Sequence, residues 1–379
     1  MLRVLAVIST VVLLAACGNS AKRENIEPPT ALTELKPTAS ISLAWQHKLG
    51  KGERRMGLRQ HPASDGKNVY AADPSGKLYA FDANSGAGVW QVETELALSS
   101  SVAVGEDTLV VGTLDGDVIA FNPDSGTERW RARVSSEVLA APAISRGIVV
   151  VRSNDGRAYA FSITDGERRW VYDHATPALS LRGNSAPVMA DGTVLIGYDD
   201  GQLVALRADD GVQLWAKPIA FGEGRSELER MVDIDGAVAF ERGEAFAAAF
   251  NGQVEGIFLD AGRPLWNREL SSYGGIAMTS DKVIVADREG VLWALDRASG
   301  SAMWKQDSLL HRWLTTPAVQ GNLVAVGDVE GYVHWFDLET GAPAARQRLD
   351  KEPIRATPVV SGDMLYVVSI EGKLGAYRQ

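Results

Sequence analysis

Cysteine is almost absent from this sequence of 379 residues, and Cys17 is the only one. A lone cysteine excludes an intramolecular disulfide, a zinc site built from several cysteines and a vicinal cysteine pair. Histidine is also scarce, because five residues are scattered singly with no spacing typical of a metal site. The fold must therefore be held by packing of its apolar core, which a chain of this length can supply.

Basic residues are also fewer than acidic residues. Lysine and arginine number 38 against 48 acidic residues, which gives a formal net charge of -10. A phosphate backbone would be repelled, so nucleic acid is not expected as a partner. No Gly-x-Ser-x-Gly or phosphate-loop motif occurs, and Asp233-Ile234-Asp235-Gly236 is only a fragment of a calcium loop. We expect no catalytic residues, no cofactor and no metal.

Glycine, by contrast, recurs in a repeat. Eight copies of a unit such as 328–341 are anchored by glycines 38 to 51 residues apart, namely Gly76, Gly116, Gly156, Gly201, Gly252, Gly290, Gly331 and Gly372. A second glycine follows ten residues after the anchor in seven copies, and a tryptophan follows after fourteen in six. Those tryptophans are Trp90, Trp130, Trp170, Trp215, Trp266 and Trp304. A period of about 40 residues indicates a repeat architecture.

The residues after each anchor predict a strand that is apolar on both faces. The fifth residue is large, as in Phe121, and the fourth is usually small, as in Ala120. Neighbouring strand residues point to opposite faces, so each sheet needs a neighbouring sheet on both sides. In the second copy we place strands near 99–105, 108–113, 117–122 and 128–134. The sequence therefore predicts an all-β, eight-bladed β-propeller of four-stranded antiparallel blades.

Three details of this propeller are predicted. Prolines fourteen residues before five anchors fall in the innermost strand, and the tryptophans fall in the outermost strand. The last repeat ends before it can supply an outer strand, so the N-terminal strand with Trp45 is expected to close the ring. The seventh repeat has Ala345 at the tryptophan position and Trp335 where alanine is usual, which we interpret as a size swap within one core.

The N-terminus predicts export. Residues 1–16 have the pattern of a signal peptide that is removed, with an apolar core too short to span a bilayer. Leu14-Ala15-Ala16-Cys17 resembles the lipobox of bacterial lipoproteins, which implies lipidation of Cys17; the alternative is an ordinary signal peptide. Gly18 implies transfer to the outer membrane. Residues 17–39 predict a lipidated, flexible tether, and residues 40–379 the propeller. The chain is thus expected to be anchored, not spanning.

Two connections between blades are longer than the rest. From tryptophan to the next proline position they span 17 and 23 residues, against 10 to 13 elsewhere. Both join an outer strand to the next inner strand, so they emerge on one face, and loops on a rigid scaffold often carry function. Their residues also have a purely structural interpretation, since Leu179 and Leu181 could fold back on the propeller and Asp233 and Asp235 could cap a turn.

A family resemblance favours the functional interpretation. The lipobox, the proline-containing tether, the eight repeats and the run 179–187 (Leu-Ser-Leu-Arg-Gly-Asn-Ser-Ala-Pro) together resemble the BamB lipoproteins of the outer-membrane β-barrel assembly machinery. This resemblance implies a periplasm-facing scaffold that docks on the POTRA domains of BamA, and through it meets the other Bam lipoproteins. The contact residues that it implies are Leu179, Leu181, Arg182, Asp233 and Asp235.

Two other functions stay open at this point. Exposed edges of outer strands could capture unfolded outer-membrane proteins by strand addition. The repeat is also similar to that of quinoprotein dehydrogenases, whose propellers bind pyrroloquinoline quinone and calcium. Those enzymes have a vicinal cysteine pair, which this chain cannot form.

Overall fold

Thirty-two strands and no helix make up the part of the chain that the computed structural model describes. That part comprises residues 27–53, 56–177, 179, 185–222, 225–226 and 229–379. The strands form eight four-stranded antiparallel sheets whose inner strands neighbour one another around a central axis. The predicted eight-bladed propeller is therefore confirmed. The described residues contain no helix long and apolar enough to cross a membrane.

In each of the first four blades the strands follow one another in chain order from the innermost to the outermost. Their strands are β2 (Ala63–Ser64), β3 (Asn68–Ala72), β4 (Lys77–Asp82) and β5 (Gly88–Glu93); β6 (Ala103–Gly105), β7 (Thr108–Gly112), β8 (Asp117–Phe121) and β9 (Glu128–Arg133); β10 (Ala143–Ser145), β11 (Ile148–Arg152), β12 (Ala158–Ser162) and β13 (Arg168–Tyr172); β14 (Val188–Ala190), β15 (Thr193–Gly197), β16 (Gln202–Arg207) and β17 (Gln213–Pro218).

The other four blades repeat this order, and the last of them takes its outer strand, β1 (Ser42–Lys48), from the N-terminus. Their strands are β18 (Ala239–Glu241), β19 (Glu244–Ala248), β20 (Gln253–Phe258) and β21 (Arg263–Glu269); β22 (Ala277–Met278), β23 (Lys282–Ala286), β24 (Leu292–Asp296) and β25 (Ala302–Gln306); β26 (Ala318–Gln320), β27 (Leu323–Gly327), β28 (Tyr332–Asp337) and β29 (Pro343–Arg348); β30 (Val359–Ser361), β31 (Met364–Val368) and β32 (Lys373–Arg378).

The hydrophobic core lies between blades. Strands β3, β7 and β23 are buried along their whole length. One cluster joins Ala80 of blade 1 to Phe121 of blade 2, the predicted meeting of a small face with a bulky one. Because every sheet buries both faces in this way, neighbouring blades share each core.

The prolines lie one residue before the innermost strand, and not within it as predicted. Pro62, Pro142 and Pro358 stand immediately before the innermost strand, which begins at the next residue. Proline has no N–H to donate to a ladder, so it fits the residue before a strand better than the strand itself.

The repeated tryptophans connect each blade to the next. Each indole N–H donates to a backbone carbonyl of the following blade: Trp45 to Ala83 (3.0 Å), Trp90 to Pro123 (2.8 Å), Trp130 to Ile163 (2.8 Å), Trp170 to Ala208 (2.8 Å), Trp215 to Leu259 (2.8 Å), Trp266 to Arg297 (2.7 Å) and Trp304 to Leu338 (3.0 Å). The second glycine of that blade lies against the ring. At Gly211, with φ +71°, a Cβ would come within 2.7 Å of Trp170.

The seventh blade reaches its neighbour by another route. Trp335 is fully buried, and its indole N–H donates to Gln320 Oε1 at 2.9 Å. The Gln320 amide nitrogen then donates to two carbonyls of blade 8, those of Asp363 (2.8 Å) and Tyr377 (3.1 Å). Ala345, opposite Trp335 in the ladder, leaves room for this larger ring. The predicted size swap thus includes a glutamine that replaces the usual hydrogen bond.

A strap of residues 27–41 lies along blades 6 and 7. The Thr30 N–H donates to Leu310 O at 3.1 Å and the Thr38 N–H to Ala344 O at 2.9 Å. Leu32 packs against the core between these blades. The sequence predicts a flexible tether as far as residue 39, whereas these contacts hold residues 30–39 against the propeller.

Trp170 tests the role of the tryptophans. Trp170→Phe removes the hydrogen bond to Ala208 O and keeps most of the packing, so we expect a loss of about 1–2 kcal/mol in the free energy of unfolding. Trp170→Ala leaves a cavity between blades 3 and 4 and is expected to cost about 3–5 kcal/mol. Urea denaturation measures both.

Trp313, which is 52% exposed, provides the matched control. Trp313→Phe and Trp313→Ala are expected to change the free energy of unfolding by less than about 0.5 kcal/mol, because exposed substitutions usually do. If Trp170→Ala unfolded at the same urea concentration as the original chain, tryptophans would not be what joins the blades.

Candidate partner-binding face

The two long connections lie on one face of the ring. The first runs from β13 to β14 and the second from β17 to β18. They touch near their ends, where the Ser185 hydroxyl donates to Gly236 O at 2.9 Å. We call this side, which also carries the other outer-to-inner connections, the insertion face.

The first insertion presents an exposed leucine. Leu179 is 46% exposed. Leu181 and Arg182, the other two contact residues expected in this segment, lie outside the described residues. At the start of the insertion the His174 ring stacks on Tyr198 at 3.9 Å, and its Nε2 lies 2.9 Å from Asp200 Oδ2. These contacts fix the direction in which the insertion leaves blade 3.

The second insertion presents an exposed phenylalanine. Phe221 is 66% exposed, more than any other large apolar side chain in the described part of the chain. Further along, the backbone N–H groups of Arg225 and Ser226 donate to Glu229 Oε2 at 2.7 and 3.1 Å, which closes a turn. The Asn251 amide donates to Met231 O at 2.9 Å and ties the insertion to blade 5. Phe221 is not among the contact residues expected from the sequence.

Asp233 and Asp235 do not lie where a surface contact would need them. Asp233 is 0% exposed, and its carbonyl accepts the Phe250 N–H at 2.7 Å in an isolated β-bridge. Its expected role as a direct contact stays a prediction, and its side chain is buried in this structure. Asp235 is partly exposed, yet both of its carboxylate oxygens are shielded from solvent.

The carboxylate of Asp235 has an unfavourable environment. Its oxygens have no hydrogen-bond partner among the described residues. Burial raises the pKa of the Asp235 carboxyl and the charge of Asp199 adds to this, whereas Arg59 and Arg152 act in the opposite direction. A buried carboxylate without hydrogen bonds costs stability, so the fold alone does not explain why this residue is acidic.

A buried arginine, Arg152, lies next to the start of the first insertion. The Arg152 guanidinium forms an ion pair with Asp199, donates to Gly197 O at 2.9 Å and lies 4.7 Å from the centre of the Tyr198 ring. Tyr198 is thus sandwiched between Arg152 and His174. The sequence carried a signal for this group, because the other seven repeats have Ala, Gly or Val four residues before the anchor, where this one has Arg152.

All eight connections also meet at the axis, where they surround a cavity of about 460 Å³. We call this cavity the channel mouth. Ala186 and Asp235 of the two insertions lie on one side of it, and Arg59, Trp313 and Arg355 also line it. The described residues contain no group of three or more His, Cys, Asp or Glu residues able to hold a metal ion.

Known proteins resemble this chain in sequence and in fold. The family profile of the outer membrane protein assembly factor BamB matches residues 40–97, 74–306 and 300–379. The BamB of Xanthomonas campestris pv. campestris is 42% identical over 322 residues, which are 82% of this chain and 79% of that protein. The crystal structure of BamB from Moraxella catarrhalis has a TM-score of 0.82 at 28% identity and covers 90% of this chain and 100% of its own.

A quinohemoprotein alcohol dehydrogenase from Comamonas testosteroni shares only the fold, with a TM-score of 0.70 at 14% identity over 89% of this chain and 76% of its own. The profile match spans the whole propeller, and the identity to Xanthomonas BamB extends over most of both chains. The chain belongs to the family of the outer membrane protein assembly factor BamB.

Proposed function

We propose that this chain is a lipid-anchored, periplasm-facing scaffold of the outer-membrane protein assembly machinery, and that its insertion face docks on the POTRA domains of BamA. The observation that carries this proposal is the pairing of two adjacent insertions, each with an exposed apolar side chain, Leu179 and Phe221. Family membership supports the role in assembly. The scaffold acts by position: it holds its partner in an orientation that helps outer-membrane proteins to insert.

The docking contacts combine apolar area with charge. Leu179 and Leu181 supply the apolar anchors, Phe221 extends them, and Arg182 sets the register with its fixed fork of donors. Asp233 contributes indirectly, because its buried backbone bridge to Phe250 holds the second insertion in place. Asp235 lies in the same insertion, where it lines the channel mouth with both carboxylate oxygens shielded from solvent, so any contribution that it makes to docking is also indirect.

The proposed anchor fits the path of the N-terminus. Cys17 lies outside the described residues, and residue 27 is where the strap begins. Ten residues span at most about 35 Å when fully extended. Residue 27 also lies beside the connection from β25 to β26, since Glu27 Oε2 is 2.9 Å from His311 Nε2. The lipid would therefore hold the insertion-face rim of blade 6 within that distance of the membrane surface.

The docking proposal is tested by changing Leu179, Leu181 and Arg182 to alanine together. Loss of two apolar anchors and one arginine is expected to weaken binding to BamA by roughly 100-fold or more, because removal of a hot-spot cluster costs at least about 3 kcal/mol. Copurification from intact cells and titration of purified proteins measure the effect.

The matched control changes Val212, Leu214 and Arg207 to alanine. These side chains have similar exposure, 48%, 45% and 49%, on blade 4 outside the insertions. Binding is expected to be unchanged. Copurification that survives the first triple change would refute docking through this segment, and peptide capture unaffected by it would favour strand addition.

Asp235→Asn tests the stability cost. Because the folded-state pKa is raised from 3.8, the charged carboxylate destabilises the folded chain at all pH values above that raised pKa. The cost decreases as the pH falls through the folded pKa, and it is gone well below 3.8, where the carboxyl is protonated in both states. The variant is therefore expected to have a higher urea midpoint than the original chain at neutral pH and an equal one in strong acid.

Asp260→Asn is the control for this comparison, since Asp260 has a side chain that is 73% exposed. It is expected to shift the free energy of unfolding by less than about 0.5 kcal/mol. Equal midpoints for Asp235→Asn and the original chain at neutral pH would contradict the stability cost.

We also propose that the chain has no quinoprotein activity. Incubation with pyrroloquinoline quinone and Ca²⁺, followed by gel filtration, is expected to leave no bound chromophore, because a lone cysteine cannot form the vicinal pair. A quinoprotein dehydrogenase stripped of its cofactor and treated identically is the positive control. A stoichiometric chromophore on this chain would overturn the non-enzymatic assignment.

A further inference from the structure

The channel mouth is chemically unlike the rest of this acidic chain. Among the described residues, three arginines line it, namely Arg59, Arg288 and Arg355. The formal net charge of the whole chain is -10, so a cluster of cations at the axis is a local reversal of sign. The cavity of about 460 Å³ falls within the range of small-ligand pockets, roughly 300–1,000 Å³.

Two of these arginines have no hydrogen-bond or ion-pair partner among the described residues, although their charges partly oppose the burial that raises the pKa of the nearby Glu53 carboxyl. The exposed guanidinium groups of Arg59 and Arg355 form no hydrogen bond or ion pair within the part of the chain that the structure describes. Arg288, by contrast, donates to Glu289 Oε1 at 3.0 Å and to Asn251 Oδ1 at 3.2 Å. Arg59 and Arg355 therefore keep their full donor capacity for a ligand.

The acids near this cavity leave a small positive excess. Asp287 lines it, but its carboxylate accepts the N–H groups of Glu289, Val291 and Trp293. Asp235 also lines it, with both oxygens shielded. Three arginines against two aspartates fit a ligand with a single negative charge better than one with several.

Glu53 and His61 also limit the positive charge around the channel mouth. Glu53 is buried, and its carboxylate accepts the backbone N–H of Arg59 at 2.8 Å. Burial lowers the pKa of His61, so this ring adds no cation at neutral pH. The described residues that line the channel mouth therefore carry a small positive excess, which the nearby buried Glu53 offsets, and Arg59 and Arg355 are its accessible cations.

Two residues that line the channel mouth have left-handed backbone. Arg59 and Trp313 have φ values of 53° and 50°, in the left-handed region that bulky residues rarely occupy. Trp313 is nevertheless 52% exposed, so burial of its indole does not offset the strain. Residues with strained backbone conformations often cluster at ligand-binding sites. Arginine and tryptophan are also the residues that most often dominate binding to protein partners.

We propose that the channel mouth binds a segment of a partner protein in which a carboxylate side chain stands next to an aromatic or aliphatic one. Arg59 and Arg355 hold the carboxylate, because a guanidinium fork matches its two oxygens. Trp313 covers the apolar neighbour. This site lies on the insertion face but uses none of Leu179, Leu181 or Arg182, so it is independent of the proposed docking contacts.

The test uses a matched pair of dipeptides, N-acetyl-Glu-Phe-amide and N-acetyl-Gln-Phe-amide, with the full mature chain. They differ by one carboxylate. Titration followed by the shift of the Trp313 indole N–H signal is expected to give a dissociation constant at least about tenfold lower for the Glu peptide. Arg59→Ala with Arg355→Ala removes that preference. Trp313→Ala, followed by calorimetry, weakens both peptides by a similar factor.

Arg242→Ala is the matched control, since Arg242 is exposed, has φ 54° and lies in the hairpin between β18 and β19 on the opposite face. It leaves both dissociation constants unchanged, as does the triple change at Leu179, Leu181 and Arg182. Equal binding of the two peptides, no binding up to about 10 mM, or a preference that survives loss of both arginines would overturn the proposal. Tighter binding of inorganic phosphate than of the Glu peptide would also overturn it.

Discussion

The fold depends on one indole ring between each blade and the next. Seven tryptophans donate to a carbonyl across the interface, and each ring lies on a glycine that no other residue could replace without a clash. At the remaining interface Trp335 and Gln320 perform the same bridging with a side-chain amide. Since every sheet buries both faces against its neighbours, these contacts hold eight otherwise separate sheets in a single ring.

That regularity makes the exceptions informative. Several unfavourable features lie on the insertion face: a carboxylate at Asp235 without a hydrogen-bond partner among the described residues, left-handed backbone at Arg59 and Trp313, and exposed apolar side chains at Leu179 and Phe221. Natural sequences depart from locally favourable choices mainly where function requires it. The opposite face, built from short hairpins, also has residues in left-handed conformations, among them Arg146 and Arg242, which stand beside Gly147 and Gly243.

The sequence predicts the blade number, the four-strand pattern, the closing strand and the tryptophan interfaces, because each of these is a periodic property that the repeat itself encodes. It does not predict that Asp233 is buried, that Arg152 pairs with Asp199, or that residues 27–41 form a strap. Those depend on contacts between distant segments of the chain. Arg152 is intermediate, because it breaks the repeat pattern visibly although its partner is not evident from the sequence.

The central claim is that the insertion face, and not the opposite one, meets the assembly machinery. Photo-crosslinking in intact cells tests this directly, with the crosslinker placed at residue 221 on the second insertion or at residue 242 on the opposite face. Both native side chains are exposed, 66% for Phe221 and 71% for Arg242. We predict a crosslink to BamA from residue 221 and none from residue 242. A crosslink from residue 242 alone would contradict the account.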